Sequence, residues 1–441
     1  MSEWVTRPLS VLADVRVSNV DKKSLPGEKP VLLCNYMDAY ANDYIRSDFA
    51  FMEATASVAE VAKFKVDVGD VVVTKDSETP DDIGIPAVVT EQIDNLICGY
   101  HLALLKTRKE FVDPVFLCKQ LASHGAARYF GQRAAGSTRY GLSTGAMANF
   151  PVSLPGLPKQ RRIAAILTGI DTAIEKTEAL IAKYQQIKAG LMHDLFTRGV
   201  LPNGLLRPPR EQAPELYQET AIGWIPKAWR ILDCSAVLDS IADGPFGSNL
   251  KTEHYVVDPG VRVVRLQNVA EYQYNDTDRA FVSDRHAAYL VRNKVVGGDV
   301  LIAGLGEERY PVGRACTYPE NLPPAINKAD CFRARCIAEL MHNKFFMLFL
   351  NSELARQQVR RYEQGVTRPR INTGNLKRLA VCVPELTEQA NCISKFDSAQ
   401  AAIRTQQAIV ENLKSQKSGL MHDLLTGKVP VKVEEPELVD G

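Results

Sequence analysis

What this 441-residue chain lacks narrows its chemistry before any motif is read. It has no apolar run of roughly 18 residues, so no transmembrane helix is expected. The opening MSEWVTRPLS carries neither the charged nor the apolar segment of a signal peptide. Nine cysteines, an odd number, contain no C-x-x-C pair; that excludes a zinc or disulfide framework and fits the reduced thiols of a cytoplasm. An excess of one charge is missing too: 53 Lys and Arg meet 52 Asp and Glu, a net of +1, so any nucleic-acid surface must be a local patch.

Catalytic signatures are also scarce. There is no H-E-x-x-H and no G-x-S-x-G. The run from Gly131 to Thr138 has the outline of a phosphate-binding loop without its lysine. Gly304-Leu305-Gly306 lacks the third glycine of a dinucleotide fingerprint and reads as a sharp turn. His193 and His422 each precede an aspartate, but with no nucleophile nearby a helix-end histidine is the plainer reading. Cys331 and Cys336 have no partners at ligand spacing. No catalytic residue and no metal site is assigned.

What is present is a duplication. Residues 155–200 match residues 384–429 without a gap at an offset of 229, with 15 of 46 positions identical, where composition alone gives about three. Six identities form the unbroken block GLMHDL, residues 190–195 and 419–424. The offset also aligns Gly69-Asp70-Val71 with Gly298-Asp299-Val300, Gly136-Ser137-Thr138-Arg139 with Gly365-Val366-Thr367-Arg368, and Thr144-Gly145 with Thr373-Gly374. Between these anchors the halves hardly agree. The chain is therefore read as two units, each a variable block followed by a shared helical segment.

The shared segments carry heptad-like apolar stripes, through Ile163, Ile170, Leu180 and Leu191 in the first and Phe396, Ile403, Val410 and Leu420 in the second, the latter interrupted by Gln406 and Lys417. Helices that long leave an apolar stripe wet unless they pair, and two equivalent units related by a pseudo-twofold axis would pair them antiparallel. The blocks alternate short β-rich runs with turn residues and read as α+β, mostly sheet. The expected organisation is residues 1–154 first block, 155–198 first long helix, 199–222 a proline-rich linker, 223–383 second block, 384–427 second long helix and 428–441 a tail.

Binding chemistry is better represented than catalysis. Residues 356–378 hold seven basic side chains, Arg356 and Arg370 among them, against one acid, Glu363; residues 128–139 hold three arginines, including Arg133, and no acid. Both stretches reach a G-x-T-R loop, whose Thr138 and Arg139, or Thr367 and Arg368, offer phosphate-type donors. Residues common to both halves suit shared tasks, whereas those that differ can read different things. The latter are Lys75, Ser77 and Thr79 in the first half, and Ser248, Asn249, Lys251, Arg265, Gln267 and Asn268 in the second. Such side chains can hydrogen-bond base edges in a major groove.

This order resembles the specificity subunit of type I restriction–modification systems. The likeness rests on Pro155, Leu157 and Gln160, on Pro384, Leu386 and Gln389, on the GLMHDL blocks and on Ile222-Gly223-Trp224-Ile225-Pro226 with Trp229. It covers residues 1 to about 427, although the first block has no counterpart of that Ile-Gly-Trp-Ile-Pro run. The resemblance implies a non-catalytic, cytoplasmic subunit that does not associate with membrane. Its two target recognition domains would each read half of an asymmetric, bipartite site in double-stranded DNA, with the antiparallel helices fixing the gap. Two modification subunits, adenine-N6 methyltransferases binding S-adenosylmethionine, would dock on the helices, with Leu191, Met192, Leu195, Leu420, Met421 and Leu424 as anchors. Restriction subunits using ATP and Mg for translocation and cleavage would join them. No cofactor is expected on this chain itself.

Overall fold

The computed structural model describes residues 4–257, 259–307 and 310–433. It divides into two compact units, one of Met1–Ala179 with Gln407–Gly441, the other of Leu180–Gln406. No helix among the described residues is long and apolar enough to cross a membrane.

In the first unit a five-stranded sheet has the order Ala13–Val17, Leu102–Thr107, Val71–Thr74, Pro86–Val89, Tyr44–Ile45. Its inner strands are largely apolar on both faces because both are covered. Val71, Val73, Ala103 and Leu105 join one core, and Val72, Leu102 and Leu104 join another, as the two-residue strand period requires. The second core is closed by a smaller sheet in which Lys29–Cys34 pairs antiparallel with Met52–Ala56 and parallel with Leu96–Cys98.

The second unit repeats this plan. Leu238–Ala242, Cys331–Cys336, Val300–Ala303 and Ala315–Thr317 lie in the same sheet order. Three of these strands start 229 positions after their counterparts, in sequence that scarcely agrees. The helices follow the same offset, Pro114–Leu121 against Asn343–Leu350 and His124–Gly131 against Glu353–Tyr362. The repeat is thus a complete scaffold, wider than its sequence anchors.

The few shared polar residues hold that scaffold. Asp70, nearly buried, accepts the Asp67 amide at 2.7 Å and Lys106 Nζ at 2.6 Å. Asp299 accepts the Val296 amide at 2.8 Å and Arg335 Nε at 2.6 Å. These are the aspartates of the G-D-V anchors, closing the turn that launches the central strand of each sheet.

The long helices run Leu157–Thr197 and Leu386–Leu425, each starting just after a proline. Each has a buried glutamine in its first turn, and the two make the same bonds. Gln160 accepts the Asp113 amide at 2.9 Å and donates to the Pro155 carbonyl at 2.8 Å and the Phe111 carbonyl at 3.3 Å. Gln389 accepts the His342 amide at 2.9 Å and donates to the Pro384 carbonyl at 2.9 Å and the Leu340 carbonyl at 2.8 Å. Each glutamine welds a helix start to the loop ahead of its block's first long-helix neighbour.

Within each unit the two helical segments run antiparallel. In the first, Glu178 pairs with Lys414 at 2.9 Å and Asp171 with Lys417 at 2.7 Å, the partner numbers moving in opposite directions. In the second, Lys188 donates to Gln400 at 3.0 Å.

Two expectations change here. Three of the six GLMHDL anchors, Met192, Leu195 and Leu424, are not free, because the block of their own unit already covers them. Met192 and Leu195 are buried beside Phe196, whose ring sits 5.2 Å from Phe345; Leu424 is buried in the first unit, while Leu191, Leu420 and Met421 lean on the same cores. His193 and His422 are what the blocks expose. The stretch 199–222, read as a linker, is packed within its unit: Arg207 donates to Glu388 Oε2 at 2.8 Å, and Tyr217–Thr220 pairs with Gly223–Pro226.

Candidate nucleic-acid interface

Each G-x-T-R loop is a tight turn, and its glycine is there for the turn. At Gly136, φ 144°, a Cβ would stand 1.9 Å from the carbonyl oxygen of Arg139; at Gly365, φ 91°, it would stand 3.0 Å from that of Arg368. The glycines fold the loop onto its own arginine carbonyl and leave Thr138, Arg139, Thr367 and Arg368 exposed.

In the first unit this loop meets the variable segment directly. Tyr140–Gly141 pairs antiparallel with Asp76–Ser77, which sets Arg139 beside Ser77 and Thr79. Together they border a cleft of about 560 Å³. Its opposite wall was not read from sequence: Tyr36 and Tyr40 stack at 5.3 Å on the short helix Tyr36–Tyr40, Met37 projects outward, and His101 bonds Asp76 at 2.9 Å. The Tyr36-Tyr40 spacing of four was the available signal, being one helical turn on one face. Glu78, also on the cleft and exposed, is an acceptor suited to the exocyclic amine of cytosine.

Lys75 is a correction. Its side chain is buried, held by Asp76 at 2.5 Å and lying 4.8 Å over the Tyr100 ring, so it organises the cleft floor and presents no free donor. Arg133 is exposed but stacks on Tyr129 at 3.7 Å, which fixes its guanidinium at the C-terminal end of His124–Gly131.

In the second unit the loop is pinned by bridges from Arg370 to Gln364 and to Leu305, and Arg370 pairs with Asp330 at 3.0 Å. Arg368 and Gln267 line one cleft of about 950 Å³, with Asn275, Arg279 and Tyr310 as walls that the sequence did not single out. Asn249 and Lys251 lie away from this cleft, next to His286, whose Nε2 bonds the Asn249 carbonyl at 2.8 Å. Ser248 lies outside the described side chains.

Burial or pairing limits three further polar residues of the second unit. Asn268 is fully buried and spends every hydrogen bond internally: its oxygen accepts the Arg265 amide at 2.8 Å, and its nitrogen donates to the carbonyls of Asn275 at 2.8 Å and Asp278 at 2.7 Å. It shapes the cleft wall and cannot read a base. Arg265 is held by Asp278. Arg356, from the basic run, is buried against the Val312 carbonyl and Glu271. A basic residue in a run is only a donor to a partner if its own fold leaves it one.

The two units thus offer one scaffold with two unlike clefts, each rimmed by the same loop. Comparisons with known proteins show what this scaffold resembles. The family model for the type I restriction modification DNA specificity domain matches residues 1–186. The type I restriction enzyme MjaVIII specificity subunit of Methanocaldococcus jannaschii is 24% identical over 287 residues, 64% of this chain and 63% of that protein. A second protein of that organism, the MjaX specificity subunit, is 22% identical over 384 residues, 85% of this chain and 81% of the other. The chain is thus similar to type I specificity subunits, through the specificity domain over residues 1–186 and through these two relatives over much of its length.

Solved structures share the fold at low identity. The type I restriction–modification S subunit from M. genitalium covers 96% of each chain with a TM-score of 0.55 and 14% identity. A chain from work on complex assembly and conformational transition of the type I system covers 97% of this one with a TM-score of 0.58 and 17% identity. The likeness of fold extends over the whole length, including the second unit, which lies beyond the residues that the family model matches.

Proposed function

We propose that this chain is the DNA-specificity subunit of a type I restriction–modification system, and that each unit reads one half of an asymmetric, bipartite site. The observation that carries this reading is the pairing of an identical frame with non-identical clefts. A protein that needed one ligand would have no reason to line the two clefts differently, and one that needed two unrelated ligands would have no reason to rim both with the same G-x-T-R loop. Bipartite DNA meets both conditions: its backbone is the same everywhere and its bases are not.

In this reading Thr138, Arg139, Thr367 and Arg368 contact phosphates, while Ser77, Thr79, Tyr36 and Met37 in the first unit, and Gln267, Asn275 and Arg279 in the second, face base edges. The paired helices set the gap between half-sites. The chain itself is non-catalytic and acts in the cytoplasm. Two modification subunits carrying S-adenosylmethionine would methylate an adenine flipped out in each half-site, and restriction subunits would supply ATP- and Mg-dependent cleavage. With Met192, Leu195 and Leu424 turned inward, docking falls to the outward helix faces that carry His193 and His422, beside the partly exposed Leu191, Leu420 and Met421.

The test is co-expression with the neighbouring modification subunit and single-molecule sequencing of host DNA for N6-methyladenine. A gapped, two-part motif that disappears when this chain is deleted is the expected result. Methyl transfer by the purified chain alone would overturn it.

A further inference from the structure

The recognition block of the first unit is keyed to the long helices by a closed ring of four charges. Lys119 Nζ lies 2.8 Å from Asp43 and 2.7 Å from Asp171, and Lys417 Nζ lies 2.8 Å from Asp43 and 2.7 Å from Asp171. Asp43 and Lys119 belong to the block; Asp171 and Lys417 belong to the first and second long helices. Every side of the square is therefore a bond, and two of its sides cross between block and helices.

Half of the ring is shielded, and Asp43 and Lys417 lie on its solvent side. Lys119 is 1% exposed and Asp171 5%. Burial opposes ionisation of Asp43, but Lys119 and Lys417 overcome it and pull its carboxyl down to about 2. Tyr44 adds its hydroxyl to Asp171 at 2.7 Å, and one helical turn further on Arg46 forks onto Glu175 with both bonds at 3.0 Å. Asp43, Tyr44 and Arg46 thus read the helix face at 171 and 175 in one axial register. A shift of the block by one turn would strand the buried Lys119 and Asp171 and unpair Asp43 and Lys417, and a buried charge without a partner costs several kcal/mol.

The duplication supplies a comparison. Position 171 corresponds to 400 and position 417 to 188, so the Lys417–Asp171 contact reappears in the second unit as Lys188 donating to Gln400 at 3.0 Å. One residue out of that register from Asp43-Tyr44, the second unit has its own acid–tyrosine pair, Glu271-Tyr272, whose ring takes Lys188 at 4.9 Å and packs on Phe396 at 5.1 Å. Here the seat is aromatic and its acid has left for Arg356. Both halves keep the lysine and the tyrosine; only the first closes a ring of charge.

We propose that Asp43, Lys119, Asp171 and Lys417 are positioning residues that fix where the first recognition block sits along its helices, and so hold the gap of the DNA site to one length. This rests on the specificity-subunit reading. A block held by apolar contact alone can slide or tilt slightly on a helix, whereas the ring admits one seat. None of the four residues borders the first unit's cleft, so their loss should not change which bases are read.

The experiment uses the full complex with its modification subunit and maps N6-methyladenine for the parent chain, for the double variant K119M/D171N, and for D171N alone, which is isosteric. The expected result is that both half-site sequences stay the same while sites with a gap one base pair longer or shorter become methylated. The preference for the parental gap should fall by roughly tenfold in the double variant, the equivalent of about 1.4 kcal/mol of orienting free energy. Should the double variant fail to assemble, the same new gap class in D171N carries the test. An unchanged single gap, or an equal fall at all sites, overturns the proposal. A parental complex that writes no two-part motif would instead overturn the functional reading on which it rests.

Discussion

Arg139 and Arg368 occupy the same place in two loops whose neighbours differ, and that sets what each can contribute. Both are exposed at the rim of a cleft, and neither has an acid holding it within hydrogen-bond reach among the described residues. Replacing either by alanine should weaken DNA binding by the assembled complex at every sequence, and lower the slope of log affinity against log salt by about 1, without altering the methylated motif. Salt titrations of binding check this. Asn268→Ala should behave in the opposite way. Three buried hydrogen bonds are lost, so about 2–3 kcal/mol of stability should go, read as a fall in thermal midpoint.

Asp243 gives a pH signature. Burial, with Asp330 beside it, pushes its carboxyl up to about 6 although it accepts the Gly244 and Asp330 amides. Its folded value lies above the unfolded one of about 3.9, so the native state holds a proton there that the unfolded chain has shed. That contribution is complete below about pH 4 and is lost as the pH rises to about 6. Asp243→Asn should therefore stabilise the protein by about 1 kcal/mol at neutral pH, after allowing for solvent screening of a half-buried group, and by nothing near pH 4. Thermal unfolding at both pH values decides it.

At the scale of elements, the two glutamines that open the long helices make the firmest prediction. Gln160→Ala and Gln389→Ala each remove three bonds from a buried amide and leave a buried N–H and two carbonyls unpaired. Each should cost about 2–4 kcal/mol, and because they share no partner the double variant should be additive. Hydrogen exchange should show the loss in the unit that holds the altered residue.

Elements also show what the sequence could disclose. The long helices were legible because a stripe repeated over forty residues has few other meanings, and the offset was legible because GLMHDL is unbroken. The central strands were only partly so: Val71–Thr74 is apolar up to its last residue and Val300–Ala303 at every position, which signals a strand covered on both faces but not its neighbours. The clefts were least legible. Gln267 and Asn268 are adjacent in sequence and similar in chemistry, yet one is exposed and the other is fully enclosed by carbonyls ten residues on. Lys417 looked like a flaw in an apolar stripe because its partner, Asp43, is 374 residues away. Tyr36 and Tyr40 were passed over because their cleft is formed with residues distant in sequence.

At the scale of the whole molecule, the repeat makes the halves separately addressable. Exchanging residues 1–154 for those of a relative with a different target should change one half of the methylated motif and leave the other half intact. Sequencing of modified bases in cells carrying the exchange checks this, and a change in both halves would contradict the division of labour between clefts. The match of the family to residues 1–186 and the repetition of the same strand order in the second unit show why such an exchange has natural seams.

Those seams carry a consequence for heredity. The buried polar side chains that both units hold in common, Asp70 and Asp299, Gln160 and Gln389, lie in the frame and touch neither cleft. Selection for a chain that folds thus acts on one set of codons, and selection for what it reads acts on another. A lineage can drift from one target to the next through the cleft walls while its frame stays under constant purifying pressure, so its vocabulary can turn over quickly in a body that hardly ages.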